Sequence, residues 1–285
     1  MASDRRPDIA ARRAAFRKLH EASCFVIPNP WDVGSARYLR HLGFKALATT
    51  SAGFAFSRGL PDSAVPRDVA LSHCAEIVAA VDLPVNADFQ GGYAREPEGV
   101  AASVGLCVQT GVAGLSIEDS TSDDSAPLYE LSLAVDRIRA ARAAIEASGG
   151  GVLLTGRAEC YLVGHPQPLQ ESIRRLQAYA QAGADVLYAP GPRDAADIKA
   201  IVEAVAPKPV NVLMTAGGLS VEGLAALGAR RLSVGGILAR AAWGGFLRTA
   251  RALADQGILV GLEGAETHAD LDGFFRRDLA TRPAS

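Results

Sequence analysis

Apolar residues along the chain gather into short, nearly unbroken runs at 24–30, 46–51, 83–89, 114–119, 152–159, 185–190, 209–214 and 231–235. Runs this short, without polar alternation, suit parallel strands covered on both faces. Between them lie stretches rich in Ala, Leu, Arg and Glu at 31–42, 66–81, 97–110, 132–147, 168–182, 194–205, 220–227 and 238–256, and these are predicted as helices. A weak repeat marks the joints. Gly43, Gly111, Gly183 and Gly228 each stand just past a helix and before a strand, where glycine supplies a left-handed helix stop. Residues 1–22 read as an extra helix before this alternation and 266–277 as one after it.

Eight strand–helix units in this length match a (β/α)8 TIM-type barrel in count and size. The expected organisation is one domain over 1–285. It comprises an N-terminal helix at 1–22, the barrel at 23–258 and a C-terminal helical extension at 259–285. An open doubly wound sheet is the rival architecture, and it usually carries a Gly-rich phosphate turn after its first strand. Here the first strand runs instead into Pro28-Asn29-Pro30-Trp31-Asp32.

Composition narrows the class. The 285 residues are 49% hydrophobic and 21% charged, with 29 Lys and Arg against 31 Asp and Glu. A net charge of −2 argues against a nucleic-acid surface. No run approaches the roughly 18 apolar residues of a membrane span, and 1–18 has no secretory hydrophobic segment. A cytoplasmic protein is therefore expected, its four cysteines (Cys24, Cys74, Cys107 and Cys160) buried and reduced. The five histidines show no zinc-site spacing.

In such barrels the chemistry sits on the loops after the strands. There the chain offers Thr50, Ser51 and Ala52 after strand 2, followed by Asp62; Asp88 ends strand 3 and Glu118-Asp119 strand 4. Arg157 and Glu159 end strand 5, Asn211 lies on strand 7, and Arg240 follows strand 8. Two carboxylates on consecutive strands suit a hard cation such as Mg²⁺; capping of the following helices or pairing with Arg157 is the plainer alternative. Arg157 suits a substrate carboxylate, which a guanidinium grips with two parallel hydrogen bonds, or a salt bridge to Glu159 or Glu118. The N–H groups of residues 50–52 suit an anion, or an ordinary turn.

These pieces, in order, resemble the isocitrate lyase/phosphoenolpyruvate mutase superfamily. The likeness rests on Pro28 to Asp32, Thr50 to Gly53 with Gly59 to Asp62, Pro84 to Tyr93, Gly114 to Asp119 and Gly156 to Glu159, and it spans about residues 20–258. It implies a modified barrel that binds Mg²⁺ (or Mn²⁺) and a small 2-oxo or 2-hydroxy acid. The implied enzyme makes or breaks a C–C or P–C bond through a pyruvate-type enolate. Carried over, Thr50, Ser51 and Ala52 match the substrate-binding turn and Asp62 an active-site aspartate. Asp88 and Glu118 match the metal acids and Arg157 the strand-5 arginine; Asn211 and Arg240 match substrate contacts. The family also implies a homotetramer exchanging a C-terminal helix, for which 266–277 is the candidate.

Departures limit the reading. The family's Asp-x-Asp becomes Asp88-Phe89-Gln90. The loop at 120–129 lacks the Lys-Lys/Arg-Cys-Gly-His sequence that supplies the lyase branches with their cysteine acid/base, and it lacks the mutase asparagine and lysine. Isocitrate lyase and methylisocitrate lyase proper are therefore not expected. Tyr188, Glu159, Asp62 or a metal-bound water, with Tyr129 and Tyr93 as further candidates, are the remaining groups for proton transfer. Two other functions stay open. One is a barrel enzyme that binds a phosphorylated substrate at Gly217-Gly218 and Gly235-Gly236. The other is a carboxylate-binding relative without catalysis.

Overall fold

The alternation folds into eight parallel strands inside a ring of helices. The computed structural model describes residues 8–21, 23–121 and 123–282. Residues 1–7 and 22 of the expected N-terminal helix, and 283–285 of the extension, lie outside the described residues. In chain order the elements are α1 (Ile9–Glu21), β1 (Phe25–Ile27), α2 (Val33–His41), β2 (Leu47–Ala48), α3 (Ser51–Ser57), α4 (Arg67–Ala80), β3 (Val85–Asp88), α5 (Pro97–Gln109), β4 (Gly114–Glu118) and α6 (Leu131–Ala147). They continue with β5 (Leu153–Arg157), α7 (Pro168–Gln181), β6 (Val186–Tyr188), α8 (Ala195–Ala204), β7 (Val210–Leu213), α9 (Val221–Ala226), β8 (Arg231–Ser233), α10 (Ile237–Gln256) and α11 (His268–Ala280).

The ladder runs from β1 through β8, β7, β6, β5, β4 and β3 to β2, parallel throughout. Across the remaining seam, Ala48 N–H donates to the Pro28 carbonyl at 3.0 Å. The fold is thus the expected TIM-type barrel. Its strands are shorter than their apolar runs, because the ends of those runs bend away into the loops at the mouth. The four repeated glycines adopt φ between 87° and 104°, the left-handed stop anticipated for them.

Strand 2 corrects the sequence reading most. It stops at Ala48, and Ser51 opens a helix rather than closing a strand. Thr50 caps that helix, its hydroxyl accepting from Gly53 N–H at 3.2 Å. Seven residues are too few for a helical period to show, so the sequence pattern leaves α3 unseen. Gly53 is required there: a Cβ would stand 3.1 Å from those of Trp31 and Ala239.

The core lies mostly between strands and helices. A second cluster closes the bottom of the barrel, where Phe16 of α1 is fully buried against Ile27, Ala46, Ala48, Ala113, Leu153 and Val186. Gly114 leaves room for that ring, since a Cβ there would meet it at 2.7 Å. With the bottom plugged, the interior opens only toward the strand C-termini. At the other end of the chain α11 docks on α2. Phe274 packs edge-on to Tyr38 with centroids 4.8 Å apart, and Arg37 Nε reaches both Asp278 oxygens at 2.9 and 2.8 Å.

Candidate active site

Adjacent strands bring three carboxylates onto one guanidinium. Glu118 and Arg157 stand opposite in the β4–β5 register, and Asp88 ends the neighbouring strand. Arg157 Nη1 lies 3.3 Å from Asp88 Oδ1 and 3.0 Å from Glu118 Oε2, while Nε donates to Glu159 Oε1. Asp88 Oδ2 accepts from Ser51 N–H at 2.9 Å, and Asp88 N–H donates to Thr49 Oγ1 at 2.9 Å. Glu118 Oε1 accepts from the Ser120 hydroxyl at 3.1 Å.

One positive charge thus faces three negative ones. Burial pushes the Glu118 carboxyl up to about 7; Arg157 opposes that rise, and Glu159 and Asp88 add to it. Burial likewise raises Glu159 against the pull of Arg157. For Arg157 itself, burial disfavours the charge, but Glu118, Glu159 and Asp88 outweigh it and hold the guanidinium well above its ordinary value.

Asp119 has a separate task. It is buried and accepts from Glu159 N–H at 2.9 Å, from Arg175 Nη1 at 3.1 Å and from the Tyr179 hydroxyl. It braces the backbone that carries Glu159. The 90–95 turn is braced similarly by Arg137 of α6, which donates to the carbonyls of Ala94 at 2.6 Å, Arg95 at 2.7 Å and Gly91. Gln90 and Tyr93 in that turn, and Ser63 facing it, hold left-handed backbones with φ of 48°, 57° and 69°. Such non-glycine conformations cluster at functional sites.

A cavity of about 190 Å³ descends from this mouth into the barrel. Thr50, Ser51, Ala52, Asp62, Asp88 and Arg157 line its upper part, with Tyr188 and Asn211 among its walls. Asp62 lies on the exposed rim, accepting from Ser63 N–H at 2.9 Å, with Gln90 Nε2 at 3.5 Å. Glu118 faces a neighbouring cavity of about 300 Å³, shared with Gln90, Tyr93, Ser120 and Tyr129, while Arg157 touches both acids. Glu159 stands behind Arg157 and lines neither space, and Arg240 is exposed on the first turn of α10, outside both.

The sequence reading missed Arg231. Buried on β8 and lining the cavity, it donates to Asn211 Oδ1 at 2.9 Å and Thr155 Oγ1 at 3.1 Å, and lies 3.4 Å from His20 Nε2. Among the described residues it forms no ion pair. Burial lowers its guanidinium to about 10. The available signal was an arginine two residues before Ser233 inside an apolar run, which places both side chains on one face of the strand.

Comparison with known proteins identifies the family. The family model described as phosphoenolpyruvate phosphomutase matches residues 16–254. The chain belongs to that family. A solved structure of a candidate lyase/mutase from Burkholderia cenocepacia J2315 is 48% identical, covers 94% of this chain and 98% of its own, and superposes with a TM-score of 0.90. An uncharacterised Mycobacterium tuberculosis protein, Rv1998c, is 32% identical over 85% of this chain and 89% of its own. Oxaloacetate acetylhydrolase, solved with its product oxalate, is 27% identical over 96% and 97% with a TM-score of 0.84.

Membership in the phosphoenolpyruvate phosphomutase family bears out the motif resemblance to the wider isocitrate lyase superfamily. It makes the chain one of a group of lyases and mutases that act on small carboxylic acids. Of the two glycine pairs in the phosphate-site alternative, Gly235 and Gly236 line the first cavity. Val234 and Gly235 N–H both donate to Asn29 Oδ1 at 2.9 Å, and Gly217 and Gly218 are exposed and line neither cavity. No described helix is long and apolar enough to cross a membrane.

Proposed function

We propose that this chain is a divalent-metal-dependent lyase that cleaves a bond next to the carboxylate of a small 2-oxo or 2-hydroxy acid by way of an enolate. The observation that carries the reading is the meeting of Asp88, Glu118 and Glu159 on Arg157 at the head of a small cavity. The donor chemistry fits a hard ion: the site offers carboxylates and amides, and its negative charge exceeds the one guanidinium. Among the described residues no cluster of three or more His, Cys, Asp and Glu is poised for a metal. Asp88 and Glu118 would hold Mg²⁺ or Mn²⁺, with water completing its shell. When bound, the ion supplies Lewis-acid stabilisation of negative charge growing on an oxygen.

The chain's own groups do the rest. Arg157 Nη2 has no hydrogen-bond partner among the described residues and is left for a substrate carboxylate. Glu159 fixes the tilt of that fork, and the Ser51–Ala52 wall and Asp62 border the same space. The small cavity favours a compact acid, and the absence of a cysteine from 120–129 separates the chain from the cysteine-dependent lyases. Calorimetry with oxalate, an enolate mimic, tests the reading. Binding should require Mg²⁺ or Mn²⁺ and vanish in Asp88→Ala; metal-independent binding, or binding unaffected by that change, refutes it.

The family resemblance also leads us to propose a homotetramer. Exposed Trp243, Phe246, Leu253, Leu259 and Leu262 on α10 and the segment after it leave an apolar surface to be covered. Light scattering on the full chain gives the mass directly; a monomer at micromolar concentration contradicts this part.

A further inference from the structure

The barrel interior holds a cation for which the described residues provide no counter-ion. We infer that Arg231 receives a second carboxylate of the substrate, so that the ligand is a short diacid held at one end by Arg157 and at the other by Arg231. The inference deepens the enolate reading above and rests on it.

Three neutral acceptors fix the guanidinium in place. Nε donates to Asn211 Oδ1 at 2.9 Å and Nη2 to Thr155 Oγ1 at 3.1 Å, while Nη1 lies 3.4 Å from His20 Nε2. The tautomer of that ring follows from its other contact. His20 Nδ1 is 2.8 Å from the Phe16 carbonyl, which only accepts, so Nδ1 carries the hydrogen and Nε2 offers a lone pair to Arg231. Asn211 is held in turn, its Nδ2 donating to Ser233 Oγ at 2.9 Å. These groups orient the fork and leave its charge whole. They occupy three of the five N–H groups of a guanidinium, and the other two have no partner among the described residues. A buried charge without a counter-ion is costly, and an arriving anion offsets that cost. Arg231 is 3% exposed, and burial lowers it only to about 10, so it stays charged at neutral pH.

The register gives its position. Arg157, Tyr188, Asn211 and Arg231 stand in one row across β5, β6, β7 and β8. Thr155, which Arg231 touches, precedes Arg157 by two residues on the same face of β5, about 7 Å along the strand. The Arg231 fork therefore lies one layer below Arg157, beside the α1 residues that plug the barrel. The charged residues lining the cavity of about 190 Å³ are Asp62, Asp88, Arg157 and Arg231. Asp62 and Asp88 repel a second carboxylate at the mouth, and three acids already surround Arg157. Arg240, the contact implied by the family resemblance, is exposed outside the cavity, and the Gly235 N–H is taken by Asn29. Arg231 is left as the uncompensated positive group.

Two ligands that differ only at the far end test this. Malate and 2-hydroxybutyrate, used as racemates, share a 2-hydroxy acid head; one ends in a carboxylate and the other in a methyl group. Each competes with oxalate for the Mg²⁺-loaded full chain in calorimetry. In the parent, malate should bind about 10-fold or more tightly than 2-hydroxybutyrate, the scale of charge-assisted hydrogen bonds. Arg231→Gln should shrink that gap to about threefold or less, because the charge is gone. Arg231→Lys, a milder change that keeps a charge but not the fork, should also narrow it. Equal affinity of the two ligands in the parent overturns the inference. So does a gap that survives undiminished in either variant, which would put the second carboxylate on the backbone at Gly235-Gly236. A parent that fails to bind oxalate with Mg²⁺ refutes the enolate reading and this inference with it, a failure distinct from oxalate binding without a diacid preference.

Discussion

Arg157 does what only a planar fork can do. Its Nε meets Glu159 while Nη1 meets both Asp88 and Glu118, so three acids share one rigid plane of donors. A lysine keeps the charge but is a single point on a flexible stem. Arg157→Lys should therefore weaken oxalate binding about 10-fold or more, a loss of order 1–3 kcal/mol, with calorimetry as the measure. Unchanged affinity would leave the arginine with a purely structural role. At this scale Asp88, Glu118 and Arg157 were legible because each is a charged residue ending an apolar run. Glu159 and Arg240 carry the same kind of signal, yet one lies behind the arginine and the other on an exposed helix face. Which way a strand-end side chain points depends on the loop that follows, and residue type does not report it.

Elements hold the site through their own buried polar contacts. Arg137 lies in α6 but serves the turn after β3, tying three of its carbonyls and lying 4.0 Å over the Tyr129 ring. Removing it would orphan buried acceptors, each worth about 1–3 kcal/mol. Arg137→Leu should lower the urea midpoint by an amount equal to about 3 kcal/mol or more and weaken metal-dependent oxalate binding, because Gln90 and Tyr93 lose their frame. A loss below about 1 kcal/mol would show that the turn holds itself. Most helices were legible from apolar periodicity, and the glycine stops from their repeat. The helix after β2 was not, since its seven residues owe their shape to the Thr50 cap and to close packing on Trp31 and Ala239.

Across the whole molecule, buried histidines couple the fold to acid. Burial lowers His20 to about 3, with Arg231 adding to the effect, and lowers His73 to about 4. Both are neutral in the folded chain where an unfolded histidine, near 6.5, takes a proton. Their contribution is complete above about pH 6.5 and is lost as pH falls toward 4 and then 3. Glu118 works oppositely between its ordinary 4.5 and about 7, so the informative measurement is a difference between proteins. His73 stacks on Phe54 with centroids 3.8 Å apart, and His73→Phe keeps a ring there. The variant should lose less stability than the parent between pH 6.5 and 4.5 in urea melts; equal slopes would show that His73 takes up its proton as readily in the fold as in the unfolded chain.

The sequence by itself determined the eightfold alternation, its glycine joints and the set of polar residues that close each apolar run. Those features are local: periodicity, a left-handed stop and a change of polarity are written into consecutive residues. Closure of the barrel decided the rest. Tyr188, Asn211 and Arg231 come from three successive strands separated by helices, and only the parallel register sets them side by side. In the same way, three carboxylates that look independent along the chain become one charge-coupled group because Arg157 reaches all of them. Interactions between distant residues depend on which faces meet across the barrel, and that geometry exists only once the chain has closed on itself.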